Sequence, residues 1–181
     1  MGYYAACAFN AGTSIGIASF QTSPGIGRLN EAAAFLDFGL ADVAALSAAG
    51  YGDCPEYRTA RQTLNYNDIV NARTVYERTL RTSGKPDANR LANCYLIGLW
   101  TGVAEGQTTS PDWNGAISIV RGNLIAVQNL INRDLNNLPF DLGSLQSTID
   151  GLWYDAKLIH EGVTTFRLHS ADNLNECSLI V

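Results

Sequence analysis

Apolar residues recur along most of this chain with steps of three and four, the spacing that places side chains on one face of a helix. A first helix is predicted over residues 29–49, a second from Pro55 to about residue 63, and a third over residues 68–82. The apolar face of the first holds Leu29, Ala33, Leu36, Leu40 and Val43, widened by Phe35, Phe38 and Leu46; that of the third holds Ile69, Ala72, Tyr76 and Leu80.

Two longer seams follow in the second half of the chain. Residues 111–137 carry Trp113, Ile117, Val120, Leu124, Val127, Ile131 and Leu135, with a second stripe of Ile119, Ala126 and Leu130. Residues 141–169 carry Leu142, Leu145, Ile149, Leu152, Ala156, Ile159, Val163 and Phe166. Spacing of this kind is typical of antiparallel helices packed in a bundle.

The stretch from Asp87 to Glu105 is apolar on every side of a helical wheel and has no charge between Arg90 and Glu105. Such a helix is buried in protein or in a membrane. Because Asn93, Gly98 and Gly102 interrupt it, it is short of the about 20 apolar residues that a membrane span needs. We therefore predict an all-α, single-domain bundle of five or six mostly antiparallel helices around this central helix.

The chain divides into an N-terminal arm (1–27), the helical bundle (28–169) and a C-terminal tail (170–181). The arm is uncharged and rich in Gly and Ser, and partial alternation over residues 13–20 favours an extended conformation over a helix. An apolar chain end is ordered only if it is tied down. The arm therefore packs on its own bundle or on a neighbouring copy, and the residues available for self-association are Tyr3, Tyr4, Phe9, Ile15, Ile17 and Phe20.

Charge is scarce in the sequence. Charged residues make up 16% of the chain, the net charge is −5, and Asn occurs fifteen times. An acidic balance disfavours nucleic acid, whose binders present a basic face to the phosphates, and also disfavours an anionic membrane surface. A surface of Asn, Thr, Ser and Gln loses its water easily and suits contact with copies of the same chain, because charge is depleted at interface cores.

Four cysteines, Cys7, Cys54, Cys94 and Cys177, form no CxxC pair and have no nearby histidine at zinc-like spacing. They are candidates for disulfides, with buried free thiols as the alternative. No metal ligand set and no cofactor motif is predicted.

Catalytic motifs are weak. Residues 12–16, GTSIG, match the GxSxG nucleophile elbow, but that motif needs a strand before it and a helix after it. A flexible Gly/Ser segment is the preferred interpretation. His160 and Glu161 lack the Glu-x-x-His partners of a metal-binding bundle. No catalytic, cofactor-binding or metal-binding residue is assigned.

These observations favour a structural, self-assembling subunit of a filament, coat or shell, with copies of itself as partners and an extracellular or particle-associated location over a cytoplasmic one. One alternative is an adaptor that binds another protein in a groove, for which Tyr57, Tyr66, Tyr76 and Trp113 are candidates. Residues 72–80, ARTVYERTL, resemble the second helix of a tetratricopeptide-type repeat, although the other repeat positions are not in register. A second alternative is an enzyme or small-molecule binder in the bundle core.

Overall fold

A computed structural model describes residues 2–133 and Gly151. The described part of the chain is all-α, which confirms the predicted fold class. Its helices are α1 (Gly2–Gln21), α2 (Leu29–Ala48), α3 (Pro55–Thr63), α4 (Tyr66–Arg81), α5 (Ala88–Gln107) and α6 (Trp113–Arg133). Apart from Gly151, the predicted helix over residues 141–169 lies outside the described residues, as do the tail and Leu135 of the preceding seam.

The N-terminal segment is a helix, so the prediction of an extended conformation is wrong for residues 2–21. The glycines of this segment do disfavour a helix, because each glycine inside a helix costs about 0.5–1 kcal/mol relative to alanine. Tertiary packing overrides that cost: most of α1, from Ala5 to Gln21, is buried. The buried Ser19 hydroxyl bonds within the helix, where its Oγ donates to Ile15 O at 2.7 Å.

Helices α1 and α5 form the most extensive helix pair among the described residues, and they touch backbone to backbone. Gly98 and Gly102 of α5 lie against the carbonyl groups of Phe9 and Thr13 in α1. In return, Gly12 and Gly16 of α1 lie against α5: a Cβ added at Gly12 would be 2.7 Å from Leu99 N, and one at Gly16 would be 2.9 Å from Val103 N. Two GxxxG segments therefore face each other, and α1 and α5 run parallel because residue numbers rise together along the contact. We call this contact the glycine seam.

The central position of α5 is confirmed. Leu91, Tyr95, Ile97 and Leu99 are buried, and Leu96 and Trp100 are half-buried. Around the central pair, α2 packs on α1, α6 packs on α5, and α4 contacts both, with α3 paired to α4. The bundle is thus built on two core helices rather than the single one that the sequence indicates.

The predicted apolar faces are confirmed in α4 and corrected in α2. Ile69, Ala72, Tyr76 and Leu80 are the buried residues of α4, and Val120, Leu124 and Val127 of α6 are buried as predicted. The buried residues of α2 are Ala32, Leu36, Gly39, Val43 and Leu46. That face is rotated from the predicted one, so that Leu29 and Phe38 are exposed.

Turn chemistry accounts for the helix ends. Gly50, with a φ of 92°, follows the end of α2 in a conformation that glycine adopts at little cost. Asn65 caps α4, because its side chain accepts from Asn67 N at 2.9 Å. Asp87 precedes α5 as predicted, and its carboxylate accepts from the buried Tyr51 hydroxyl at 2.7 Å.

Three fully buried tyrosines from α3, α4 and α5 stack edge to face, with ring centroids 5.8 Å apart for Tyr57 and Tyr76 and 5.3 Å apart for Tyr76 and Tyr95. The Tyr57 hydroxyl donates to Ala11 O at 2.9 Å, and the Tyr95 hydroxyl donates to Arg73 O at 2.7 Å. The Tyr76 hydroxyl has no hydrogen-bond partner among the described residues. This tyrosine stack ties α3 and α4 to the central pair.

We expect Gly98→Ala to destabilise the protein although alanine is the better helix former. The added Cβ would lie 3.0 Å from the Phe9 carbonyl carbon and closer still to its oxygen, so the two backbones must separate. Overpacking of this kind costs about 1–3 kcal/mol. Thermal unfolding followed by circular dichroism measures the effect.

Gly122→Ala is the matched control, since Gly122 is exposed on α6 and an added Cβ meets no described atom within 4 Å. It should raise stability by about 0.5–1 kcal/mol. Equal effects of the two substitutions would contradict the glycine seam.

The tyrosine stack predicts opposite outcomes for the same substitution at two equally buried positions. Tyr57→Phe removes a hydrogen bond to the Ala11 carbonyl, which keeps its bond within α1, and should cost about 0.5–1.5 kcal/mol. Tyr76→Phe removes a buried hydroxyl that has no described partner, so it should be neutral or stabilising. Urea denaturation of both variants checks the difference, and a large loss in Tyr76→Phe would show that its hydroxyl is bonded.

Candidate functional site

The GxSxG segment is part of the glycine seam. Gly12 and Gly16 face α5, while Ser14 is buried next to Gly39 of α2. A nucleophile elbow places its serine on an exposed turn after a strand, which this helix does not provide. The preferred sequence interpretation, a flexible segment, is also wrong: the glycines serve close helix packing.

Four of the proposed self-association residues lie in the core of their own chain: Phe9, Ile15, Ile17 and Phe20 are all buried. Tyr4 packs against Tyr51 with ring centroids 5.6 Å apart. Tyr3 is 62% exposed and is the one residue of that set with most of its surface available to a partner. Self-association stays a prediction, but α1 supplies little surface for it.

The described cysteines are free thiols. Cys7, Cys54 and Cys94 are each buried and unpaired, and Cys177 lies outside the described residues. Burial raises the pKa of the Cys7 and Cys54 thiols to about 11, so both stay protonated at neutral pH. They therefore pack as small apolar groups rather than act as nucleophiles.

Two of the four aromatic residues proposed to line an adaptor groove are buried in the core. Tyr57 and Tyr76 belong to the buried tyrosine stack, and Tyr66 is half-buried. Trp113 begins α6, and its side chain is not among those described. His160 and Glu161 lie outside the described residues.

Within residues 2–133, no cluster of three or more His, Cys, Asp and Glu side chains has the geometry to hold a metal ion. Over the same range, no helix combines the length and apolarity needed to cross a membrane.

The most distinctive exposed feature is the outward side of α2. Its residues there repeat with steps of four, three, four and three, which is the spacing of a helix–helix seam: Ala34, Phe38, Ala41, Ala45 and Ala48. Phe38 is 68% exposed, the largest exposure among the exposed large apolar side chains of the described residues. We call this set the outer α2 seam. The spacing of these residues can be read from the sequence, but the buried face of the same helix has a similar spacing and larger apolar residues, which drew the prediction to that face.

The charge beside the outer α2 seam is already neutralised. Asp37 accepts from Arg61 Nε of α3 at 2.7 Å, and this bond holds the pKa of Asp37 below its ordinary value. Helix α2 therefore has an apolar stripe on each of two opposite sides. This pattern is typical of a helix that packs against a neighbour on both sides.

A second polar cluster lies where α1 meets the middle of α2. The Cys7 thiol interacts with the Tyr3 hydroxyl and the Asp42 carboxyl. Burial raises the pKa of Asp42 to about 7, although its hydrogen bond with Cys7 opposes that shift. Asp42 is thus partly protonated at neutral pH and adds little charge next to the outer α2 seam.

Comparison with known proteins gives no assignment: no family model, curated protein or solved structure matches this chain. The functional interpretation therefore depends on geometry and chemistry alone.

Asp42 predicts an unusual pH dependence of stability. Because the pKa of Asp42 is raised, the folded protein keeps a proton that the unfolded chain loses near pH 4. The contribution of Asp42 to the free energy of unfolding therefore falls as pH rises from about 4 to about 7. Asp42→Asn removes this loss. The difference in stability between the Asp42→Asn variant and the parent should therefore favour the variant more at pH 8 than at pH 4. The midpoint of urea denaturation at the two pH values measures this difference.

Asp37→Asn is the control with the opposite sign. The pKa of Asp37 is lowered by Arg61, so its contribution is present above its ordinary pKa and disappears on acidification. The substitution should reduce stability slightly at pH 8 and less at pH 4. If the two variants follow the same pH trend, the assignment of Asp42 is wrong.

Proposed function

We propose that this protein is a structural subunit that associates with copies of itself through the outer α2 seam. The observation that carries the proposal is the run of alanines that includes Phe38, largely exposed on a helix whose opposite side is buried.

The shape and charge of this seam suit a second copy. Alanine side chains let two helices approach closely, and in a two-fold arrangement Phe38 of each copy can fill the space above the alanines of the other. Asp37 meets its own Arg61, so two identical surfaces do not repel each other. The low charge content of the whole chain, 16%, supports the same conclusion.

The size of the seam limits its strength. From residue 34 to residue 48 the helix rises about 21 Å, and one helix stripe is smaller than the about 800 Å² per partner of a standard interface. Association through α2 alone should therefore be weak and dependent on concentration. A pair formed by one self-complementary surface also closes as a dimer, and a filament or shell needs a second surface. Ile119 and Ile125, both exposed on α6, are available for that contact.

We expect Ala41→Glu to weaken self-association at least about 10-fold, because it places like charges opposite each other in a two-fold contact. Residue 41 is exposed and Glu is a good helix former, so the fold should be preserved. Sedimentation equilibrium over a wide concentration range measures the dimerisation constant, and Phe38→Ala should weaken it in the same direction.

Thr59→Glu is the matched control, because it adds the same charge at an exposed position of α3 away from the seam. It should leave association unchanged. A parent protein that stays monomeric at every concentration would exclude this function, as would a dimer that Ala41→Glu does not weaken. Deleting residues 1–26 is unsuitable as a test, since it removes α1 and with it the glycine seam.

A further inference from the structure

A small cavity opens where the end of α1, the start of α2 and the end of α5 meet. Its volume is about 220 Å³. Ile17 and Phe35 form apolar walls, and the polar lining comes from Gln21, Arg28, Glu31 and Thr109. This site is separate from the outer α2 seam.

Gln21 is the first sign that the cavity binds something. Its side chain lines the cavity and is only 7% exposed, yet its Oε1 has no hydrogen-bond partner among the described residues. Buried polar groups are almost always hydrogen-bonded, because leaving one without a partner is costly. A ligand with an N–H donor would remove that cost.

Arg28 is the second sign. Its guanidinium is held in place by donating to Thr109 Oγ1 at 2.7 Å and Thr109 O at 2.9 Å, and it lies over the Phe20 ring. A guanidinium has five N–H donors, and these two bonds leave others for a ligand. A fixed guanidinium of this kind is well suited to a carboxylate.

Glu31 completes the lining with a charge of opposite sign. It lies in the first turn of α2 and lines the same cavity as Arg28, which directly precedes that helix. Their joint presence at one cavity selects a ligand that carries both an anionic and a cationic group close together.

We propose that this cavity binds a free α-amino acid with an apolar side chain. The carboxylate binds Arg28, the ammonium group donates to Glu31 and to Gln21 Oε1, and the apolar side chain packs between Ile17 and Phe35. The volume agrees with this size of ligand, since it is below the about 300–1,000 Å³ of sites for drug-sized molecules.

Titration calorimetry with L-leucine, N-acetyl-L-leucine and L-leucinamide tests the proposal on the full chain. Leucine carries both charges, whereas each derivative carries one. Leucine should bind most tightly and raise the melting temperature, and each derivative should bind more weakly. The absence of leucine binding, or equal affinity for all three compounds, would overturn the proposal.

Gln21→Met separates binding from stability. It replaces the carboxamide by an apolar group of similar length, so it should raise the melting temperature of the ligand-free protein by about 2–4 °C. The same change should weaken leucine binding about 10-fold or more, because a hydrogen bond to a charged group is lost. Gln62→Met, at an exposed position of α3, is the control and should alter neither quantity.

Glu31→Gln tests the interaction with the ammonium group of the ligand. Residue 31 is exposed, so the substitution should not disturb folding. It should weaken leucine binding about 2- to 5-fold, the scale of an exposed ion pair, and leave the affinity for N-acetyl-L-leucine unchanged. Unchanged leucine affinity in both Gln21→Met and Glu31→Gln would place any binding elsewhere.

Discussion

The direct backbone contact between α1 and α5 is the constraint on which the rest of the fold depends. Gly12 and Gly16 on one helix and Gly98 and Gly102 on the other bring the carbonyls of each chain segment against the Cα–H groups of its partner. Such contacts are individually weak. Four glycines in two helices also cost about 2–4 kcal/mol in helix propensity. The close packing of two almost fully buried helices must exceed that cost.

Once this pair is in place, the other helices have defined positions. The side of α1 away from α5 accepts α2, where the buried Gly39 leaves room for the Tyr57 hydroxyl to reach Ala11 O. The tyrosine stack then carries contact from α3 through α4 to α5. The outward side of α2 stays largely exposed: Ala45 packs partly against the core, whereas Phe38 is 68% exposed.

Sequence periodicity predicted the helices that have one apolar face. In α4 the buried set Ile69, Ala72, Tyr76 and Leu80 is the predicted one, because polar residues mark its other side clearly. Periodicity failed for α1, where no polar face exists and small residues, Ala above all, are spread around the helix. It also misplaced the face of α2, since alanines all around that helix leave two possible seams, and only the presence of α1 selects between them.

The candidate sites were harder to predict because they depend on residues from distant parts of the chain. The cavity brings Gln21, Arg28 and Thr109 together, and no local motif links the first two to the third. The GxSxG segment shows the reverse difficulty. Its spacing matched a catalytic motif, whereas in the structure its glycines pack against Gly98-x-x-x-Gly102 of α5.

The glycine seam also has a consequence for how the chain is synthesised. Gly98 meets Phe9, so α1 precedes its partner by 89 residues. At roughly 5–20 residues per second, about 5–20 s pass between the appearance of the first helix and the second. Throughout that interval the glycine-bearing face of an uncharged helix lacks its partner, although α2 can already pack on α1. The uncovered face makes this nascent segment a target for chaperones that hold unfolded chains.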